Sequence, residues 1–246
     1  AFMWKRAICS LLLGTLCILF SAISFAEAAK SAVPQREKPT HIELVLILDK
    51  SGSMHGLEDD TIGGFNTMIE KQKKLDVGVY VTTVLFNNEM KTLYAHKNIH
   101  LVKPMTKEEY TTDGTTALLD AVGNTILKIE QTKGIDSKGT KVIFVIITDG
   151  LENDSTEFTK QKVKQLISDK QEKAGWEFIY LGANIDAVEE ADAIGVNKAN
   201  AVTYRNTKSG VRANYDAVSA YVAETAEAGD AKSGAWKKRV EQDASK

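Results

Sequence analysis

The segment Asp49-Lys50-Ser51-Gly52-Ser53 places one carboxylate and two hydroxyls within five residues. Gly52 lets the backbone curl, so that these oxygens can converge. Oxygen ligands of this kind suit magnesium, manganese or calcium, whereas zinc and copper favour nitrogen and sulfur. The same residues also fit a Ser/Gly turn with Asp49 as a helix cap, so this segment alone does not establish a metal site.

Two strand-like segments end in an aspartate. Ile42–Leu48 carries one charge in a nearly continuous apolar run, which is typical of a strand buried on both faces in a parallel sheet. Lys141–Ile147 has a similar pattern and runs into Thr148-Asp149-Gly150. Because the carboxyl ends of parallel strands lie at one edge of a sheet, we expect Asp49 and Asp149 to meet there.

The rest of the chain alternates between helical and strand patterns, which predicts an α/β fold with a doubly wound, mostly parallel sheet and helices on both faces. Asn87-Asn88 can adopt the positive φ angles of a tight hairpin turn, so the strands on either side of it are expected to be antiparallel. The predicted helices centre on 57–73, 118–129, 163–167, 187–194 and 211–222, and the other predicted strands on 77–86, 89–94, 176–181 and 201–204.

The N-terminus has the features of a secretory signal peptide over residues 1–28: a basic start, an apolar core and Ala26-Glu27-Ala28 as a cleavage site. We therefore expect an exported protein that is secreted, periplasmic or on the cell surface. The alternative is an uncleaved membrane anchor, because residues 7–26 have about the ~20-residue length of a spanning helix. Residues 29–40 are expected to form a flexible lead-in, 41–228 the folded domain with its C-terminal helix, and 229–246 a polar tail.

Composition excludes several classes of function. Both cysteines, Cys9 and Cys17, lie in the predicted signal peptide, so the mature chain has neither a disulfide nor a cysteine nucleophile. The formal net charge is −2, without the basic excess that is typical of nucleic-acid binders. The sequence also lacks a P-loop, a dinucleotide-binding glycine pattern and the Gly-x-Ser-x-Gly turn of serine hydrolases.

Three loops, Asp49–Ser53, Gly114–Leu118 and Thr148–Gly150, together resemble those of a von Willebrand factor type A (vWA) domain. The resemblance covers about Ile42 to Tyr204. It implies a Rossmann-like, six-stranded sheet with one antiparallel edge strand. It also implies a metal-ion-dependent adhesion site (MIDAS) whose ligands would be Asp49, Ser51, Ser53, Thr116 and Asp149, with Thr115 as the second choice for the threonine.

The chemistry of these residues agrees with the resemblance. Two carboxylates balance a dication, three hydroxyls supply neutral oxygens, and magnesium takes six ligands. One position left open would favour a Glu or Asp carboxylate of a partner protein. The rim of such a site would be formed by His55, Thr115, Glu152 and Asp154, although Glu152 and Asp154 also fit a solvated loop.

The sequence therefore predicts an exported, non-enzymatic module that captures a protein partner through Mg²⁺, Mn²⁺ or Ca²⁺. It predicts no nucleic-acid partner, and a membrane partner only if the N-terminal segment stays as an anchor. Two alternatives remain. The metal could only stabilise the fold, or the protein could be a magnesium-dependent phosphohydrolase, although that chemistry would favour a second carboxylate where Ser51 stands.

Overall fold

The computed structural model describes residues 37–231 and 233–245. The predicted signal peptide, the anchor alternative and residues 29–36 of the predicted lead-in lie outside these residues. The described part of the chain contains six strands, with the bounds β1 His41–Asp49, β2 Gly78–Phe86, β3 Met90–Asn98, β4 Thr140–Thr148, β5 Glu177–Ala183 and β6 Ala201–Tyr204.

The six strands form one sheet in the order β3-β2-β1-β4-β5-β6. All neighbours are parallel except β2 and β3, which confirms the predicted mostly parallel sheet with one antiparallel edge strand. β1 lies between β2 and β4, so its side chains are buried on both faces, and this explains its apolar run. The register pairs Asp49 with Phe86 on one side and Leu48 with Ile147 on the other.

Within residues 37–231 and 233–245, six α-helices pack around the sheet: α1 Glu58–Gln72, α2 Leu118–Glu130, α3 Lys160–Ala174, α4 Ala187–Ala193, α5 Lys208–Ala228 and α6 Lys238–Ala244. Apolar residues of α1, α5 and α6 share one core layer with Leu44, Leu46 and Leu48 of β1. Residues of α2, α3 and α4 share the opposite layer with Val45 and Ile47. The alternation along β1 thus supplies both cores, and the helices lie on both faces as predicted.

The hairpin between β2 and β3 forms by a different geometry from the predicted one. Among the described residues, only His96 and Asn184 have positive φ without being glycine, so Asn87 and Asn88 do not. Instead, the Asn87 side chain accepts a hydrogen bond from the Glu89 amide (2.9 Å) and donates one to the Asp113 carbonyl (2.8 Å). The hairpin is thereby joined to the loop that leads into α2.

The segment after residue 229 differs from the polar tail that we expected. It contains α6, and Trp236 and Val240 are buried in the core layer of α1 and α5. The Trp236 ring meets the ring of Tyr221 edge-on, with the centroids 5.3 Å apart. Within the described residues, no helix combines the length and the apolarity needed to cross a bilayer.

Candidate functional site

Asp49 and Asp149 lie at the carboxyl ends of the neighbouring strands β1 and β4, where the sequence predicts that they meet. The loop after β1 is fixed by its backbone. The Ser51 amide donates to Asp49 Oδ1 (2.7 Å), and the Gly52 amide donates to the Gly114 carbonyl (3.0 Å). The first and second loops of the site are therefore held against each other.

Hydroxyl groups connect the first loop to Asp149. Ser51 Oγ lies 3.1 Å from Ser53 Oγ, and Ser53 Oγ donates to Asp149 Oδ1 over 2.6 Å. A Cβ placed on Gly150 would lie 3.7 Å from Ser53 Oγ and 3.8 Å from Thr116 Oγ1, so Thr116 borders the same space. The five side chains that were predicted from sequence as metal ligands therefore lie close together, although they belong to three different loops.

The two neighbouring threonines of the second loop have different surroundings. Thr115 is exposed, and its hydroxyl donates to Asp154 Oδ2 over 2.7 Å. Thr116 is buried, and its backbone exchanges hydrogen bonds with Asn153, whose side chain accepts from the Thr116 amide. These contacts favour Thr116 over Thr115 as the threonine of the site.

The residues proposed for the rim also differ from one another in their contacts and exposure. Glu152 accepts four hydrogen bonds, from the Leu119 amide and from groups of Asp154 and Ser155, so its carboxylate shapes the third loop and caps α2. This gives Glu152 a structural role. Asp154 is exposed beside Thr115, and His55 is exposed with its Nδ1 3.2 Å from Glu58 Oε1.

The electrostatics at the centre favour a cation. Asp49 and Asp149 are 1% and 2% exposed. Burial raises the pKa of both carboxyls, and the charge of Asp49 adds to the increase at Asp149. In the part of the chain that the structure describes, no ion pair involves either one. Two buried carboxylates beside neutral hydroxyls are a donor set that fits a hard divalent cation.

Sequence reasoning missed two residues that support the aspartates. Thr148 Oγ1 donates to Asp49 Oδ2 (2.6 Å), and Asn206 Nδ2 donates to Asp149 Oδ2 (2.8 Å). Thr148 belongs to the third loop by sequence, but a threonine at the end of a strand gives no local indication that it will bond to a residue of the neighbouring strand. Asn206 follows β6, and no local pattern indicates that this connection reaches the third loop.

A family model described as the von Willebrand factor type A domain matches residues 43–215. No curated protein matches the chain. Solved structures are similar to it at low identity. Proximal thread matrix protein 1 from the mussel byssus is 14% identical, with a TM-score of 0.53, over 74% of this chain and 46% of that one. The PilB minor pilin from Streptococcus sanguinis is 11% identical, with a TM-score of 0.54, over 76% of this chain and 62% of that one.

A second structure of the mussel protein is described as having a zinc-occupied MIDAS motif, and it is 14% identical to this chain over 69% of its length, with a TM-score of 0.51. At such identities the likeness is one of fold. The match spans 42% to 62% of the length of these three structures, so each contains more than the region shared with this chain.

Proposed function

Because the chain belongs to the von Willebrand factor type A domain family, whose members are commonly protein-interaction modules, we propose that it captures a protein partner through a divalent metal ion. The observation that carries this proposal is the pair Asp49 and Asp149. Both carboxylates are buried, both are held by neutral donors, and hydrogen bonds through Ser51 and Ser53 connect them. A dication would balance the two negative charges.

Ser51, Ser53 and Thr116 would supply hydroxyl oxygens to the ion, and Asp49 and Asp149 would hold its waters. When bound, the metal would supply a Lewis-acidic position for a Glu or Asp carboxylate of the partner. Magnesium, manganese and calcium all suit this oxygen set. The protein residues thus orient the ion and keep its charge available to an anionic ligand.

We propose that this binding is not accompanied by catalysis. A magnesium-dependent phosphohydrolase would favour a carboxylate two residues after the first aspartate as general acid and base, and this position is Ser51. We further propose that the chain is exported and that residues 1–28 are removed. The mass of the protein recovered from an export-competent host tests the cleavage, and recovery in the membrane fraction with residues 1–28 intact would favour the anchor.

Metal binding is tested by titrating residues 29–246 with Mg²⁺ and then Mn²⁺ in a calorimeter, beside Asp149→Asn. We expect one saturable site in the wild type and none in the variant. Asp169→Asn is a matched control, because Asp169 lies on α3 and pairs with Lys173 over 2.7 Å. Equal binding by wild type and Asp149→Asn would contradict the proposed site.

Partner capture is tested with a displayed library of random peptides, bound in the presence of Mn²⁺ and eluted with EDTA. The selected peptides should share an Asp or Glu whose replacement by the amide abolishes binding, and Asp149→Asn should select none of them. If Mn²⁺ raises the melting temperature but no peptide depends on it, the metal only stabilises the fold. Hydrolysis of p-nitrophenyl phosphate that needs Mg²⁺ and Asp49 would favour the phosphohydrolase.

A further inference from the structure

We infer that Asn206 is a sixth side chain of the metal centre and acts as the positioning residue for Asp149. This inference rests on the proposed function, because it assigns Asn206 a role at the same site. It depends on contacts between two parts of the chain that are 57 residues apart in sequence.

Asn206 lies between β6, which ends at Tyr204, and α5, which begins at Lys208. Its Nδ2 donates to Asp149 Oδ2 over 2.8 Å, while Ser53 Oγ donates to Asp149 Oδ1 over 2.6 Å. Each carboxylate oxygen therefore has its own donor. Ser53 precedes Asp149 in the chain, and Asn206 follows it. Together they fix the rotation of the carboxylate, which a single hydrogen bond would leave free.

The amide is suited to this role because it is neutral. A lysine or arginine at this position would pair with Asp149 and cancel the charge that a cation needs. An asparagine donates a hydrogen bond and leaves the negative charge in place. Hydrogen-bonded partners that orient the groups around a metal ion are a general feature of metal sites.

The backbone around Asn206 is itself held in place. The Thr207 amide donates to the Arg205 carbonyl over 2.7 Å, and Thr207 Oγ1 accepts from the Gly210 amide over 3.2 Å to cap α5. A Cβ on Gly210 would overlap the Arg205 carbonyl oxygen, so the close turn needs a glycine there. Asn206 is therefore presented to Asp149 by a fixed turn and does not have to be ordered when the metal binds.

The other end of the Asn206 amide supports the same role. Its Oδ1 is buried and has no hydrogen-bond partner within the described residues. Buried acceptors normally have a hydrogen-bond partner. This oxygen belongs to the same amide group as the Nδ2 atom that donates to Asp149. A water held by the metal would supply a suitable O–H donor, so both ends of the amide would serve the site.

The test compares Asn206→Leu with Asn124→Leu. Asn124 is a matched control because it is also half-buried and its Nδ2 also donates to a carboxylate, that of Glu157, over 2.8 Å. We expect Asn206→Leu to weaken Mn²⁺ binding by about 10- to 100-fold, the range for partners that orient metal ligands. Asn124→Leu should bind Mn²⁺ as the wild type does. A positioning role also requires that the two variants melt at similar temperatures without metal.

Asn206→Ser retains a donor on a shorter side chain, so its Mn²⁺ affinity should lie between those of the wild type and Asn206→Leu. If Asn206→Leu does not fold, the comparison is made with Asn206→Ser. If the wild type binds Mn²⁺ and Asp149→Asn does not, but both Asn206 variants bind as the wild type does, the inference is wrong and the metal site stands. If the wild type binds no Mn²⁺, both the inference and the proposed function are wrong.

Discussion

Thr148 Oγ1 donates a hydrogen bond to Asp49 Oδ2 over 2.6 Å, and this bond joins the carboxyl ends of β1 and β4. Thr148 is the last residue of β4 and directly precedes Asp149, so two adjacent residues provide a carboxylate to the site and the support for the other carboxylate. The Ser51 amide holds the remaining oxygen of Asp49 at 2.7 Å. Asp49 is thus oriented by donors from two loops in the same way as Asp149.

Replacing Thr116 by valine should reduce Mg²⁺ or Mn²⁺ affinity by at least about tenfold, because the substitution keeps the shape and removes one proposed ligand oxygen. Thr115→Val is its adjacent control and should lose only the hydrogen bond to Asp154. Calorimetric titration of both variants measures the difference. A larger loss in Thr115→Val would show that the threonines have been assigned in the wrong order.

Asp149→Asn should be more stable than the wild type in the absence of metal at pH 7. Burial raises the pKa of Asp149 in the folded state, so its contribution to stability is full below the unfolded value of 3.8 and is lost as the pH rises through the folded pKa. The amide does not ionise, and the Ser53 hydroxyl can rotate to donate or accept.

We expect a gain of about 2–4 °C in melting temperature, which is ~1 kcal/mol for a domain of this size. Excess Mg²⁺ should raise the melting temperature of the wild type alone. The gain should shrink as the pH falls below 3.8, because the raised pKa of the buried carboxyl favours its protonated form there in the folded state. A variant that melts below the wild type at pH 7 without metal would contradict the account of the site as two mutually repelling carboxylates.

A second pH effect is predicted at Glu43, at the opposite end of β1. Glu43 is buried, its Oε2 lies 2.7 Å from His96 Nδ1, and its Oε1 accepts from the Thr82 hydroxyl over 2.9 Å. Burial raises the pKa of Glu43, while the hydrogen bonds from His96 and Thr82 and the charge of His41 lower it, and burial dominates. The stability that this group contributes is therefore full below its unfolded pKa, about 4.5, and is lost as the pH rises through the folded value.

The unfolding free energy of the wild type minus that of Glu43→Gln should consequently fall as the pH rises from 4 to 8. Urea unfolding of both proteins across this range gives the difference directly. Metal-free protein is used throughout, so that binding at Asp49 and Asp149 does not contribute. A difference that grows with pH would mean that the pairing with His96 outweighs the burial of the carboxylate.

The adjacent glycines of α1 should respond in opposite directions to the same substitution. A Cβ on Gly64 would overlap the ring of Tyr215 on α5, whereas a Cβ on Gly63 meets nothing within 4 Å. Gly64→Ala should destabilise the protein by about 1–3 kcal/mol through overpacking. Gly63→Ala should stabilise it by up to ~1 kcal/mol, because alanine is the better helix former.

Chemical denaturation of the two alanine variants measures both effects against the wild type. Equal changes in the two variants would mean that α1 and α5 can move apart without loss. The opposite signs predicted here would show that Gly64 is required for the close approach of these helices and that Gly63 is not.

The mostly parallel sheet and the meeting of Asp49 with Asp149 were predictable from sequence because β1 and β4 are local apolar segments. An aspartate ends β1 and another directly follows β4. The placement of Asn206 was not predictable in this way. Its contact with Asp149 depends on where the turn after β6 lies relative to β4, and only the assembled sheet determines that distance.

The helix α6 was missed for a related reason. Its seven residues are too few to form a stable helix by themselves, and most of the stability of a short helix comes from tertiary packing. Trp236 and Val240 have the four-residue spacing of one helix face, but two apolar residues in a polar segment are a weak periodic signal. Their burial against α5 is what orders the segment.

This C-terminal segment also protects the outer edge of the sheet. β6 lies at one end of the strand order, beside β5, and the Lys237 ammonium group donates to the Ala201 carbonyl of β6 over 2.8 Å. A second contact joins the residue after β6 to α6, because Arg205 Nη1 donates to the Asp243 carbonyl over 3.0 Å. An uncovered edge strand offers unpaired backbone groups to other chains. Cutting the protein after residue 228 would therefore be expected to make it self-associate through β6, even though every loop of the metal site would be retained.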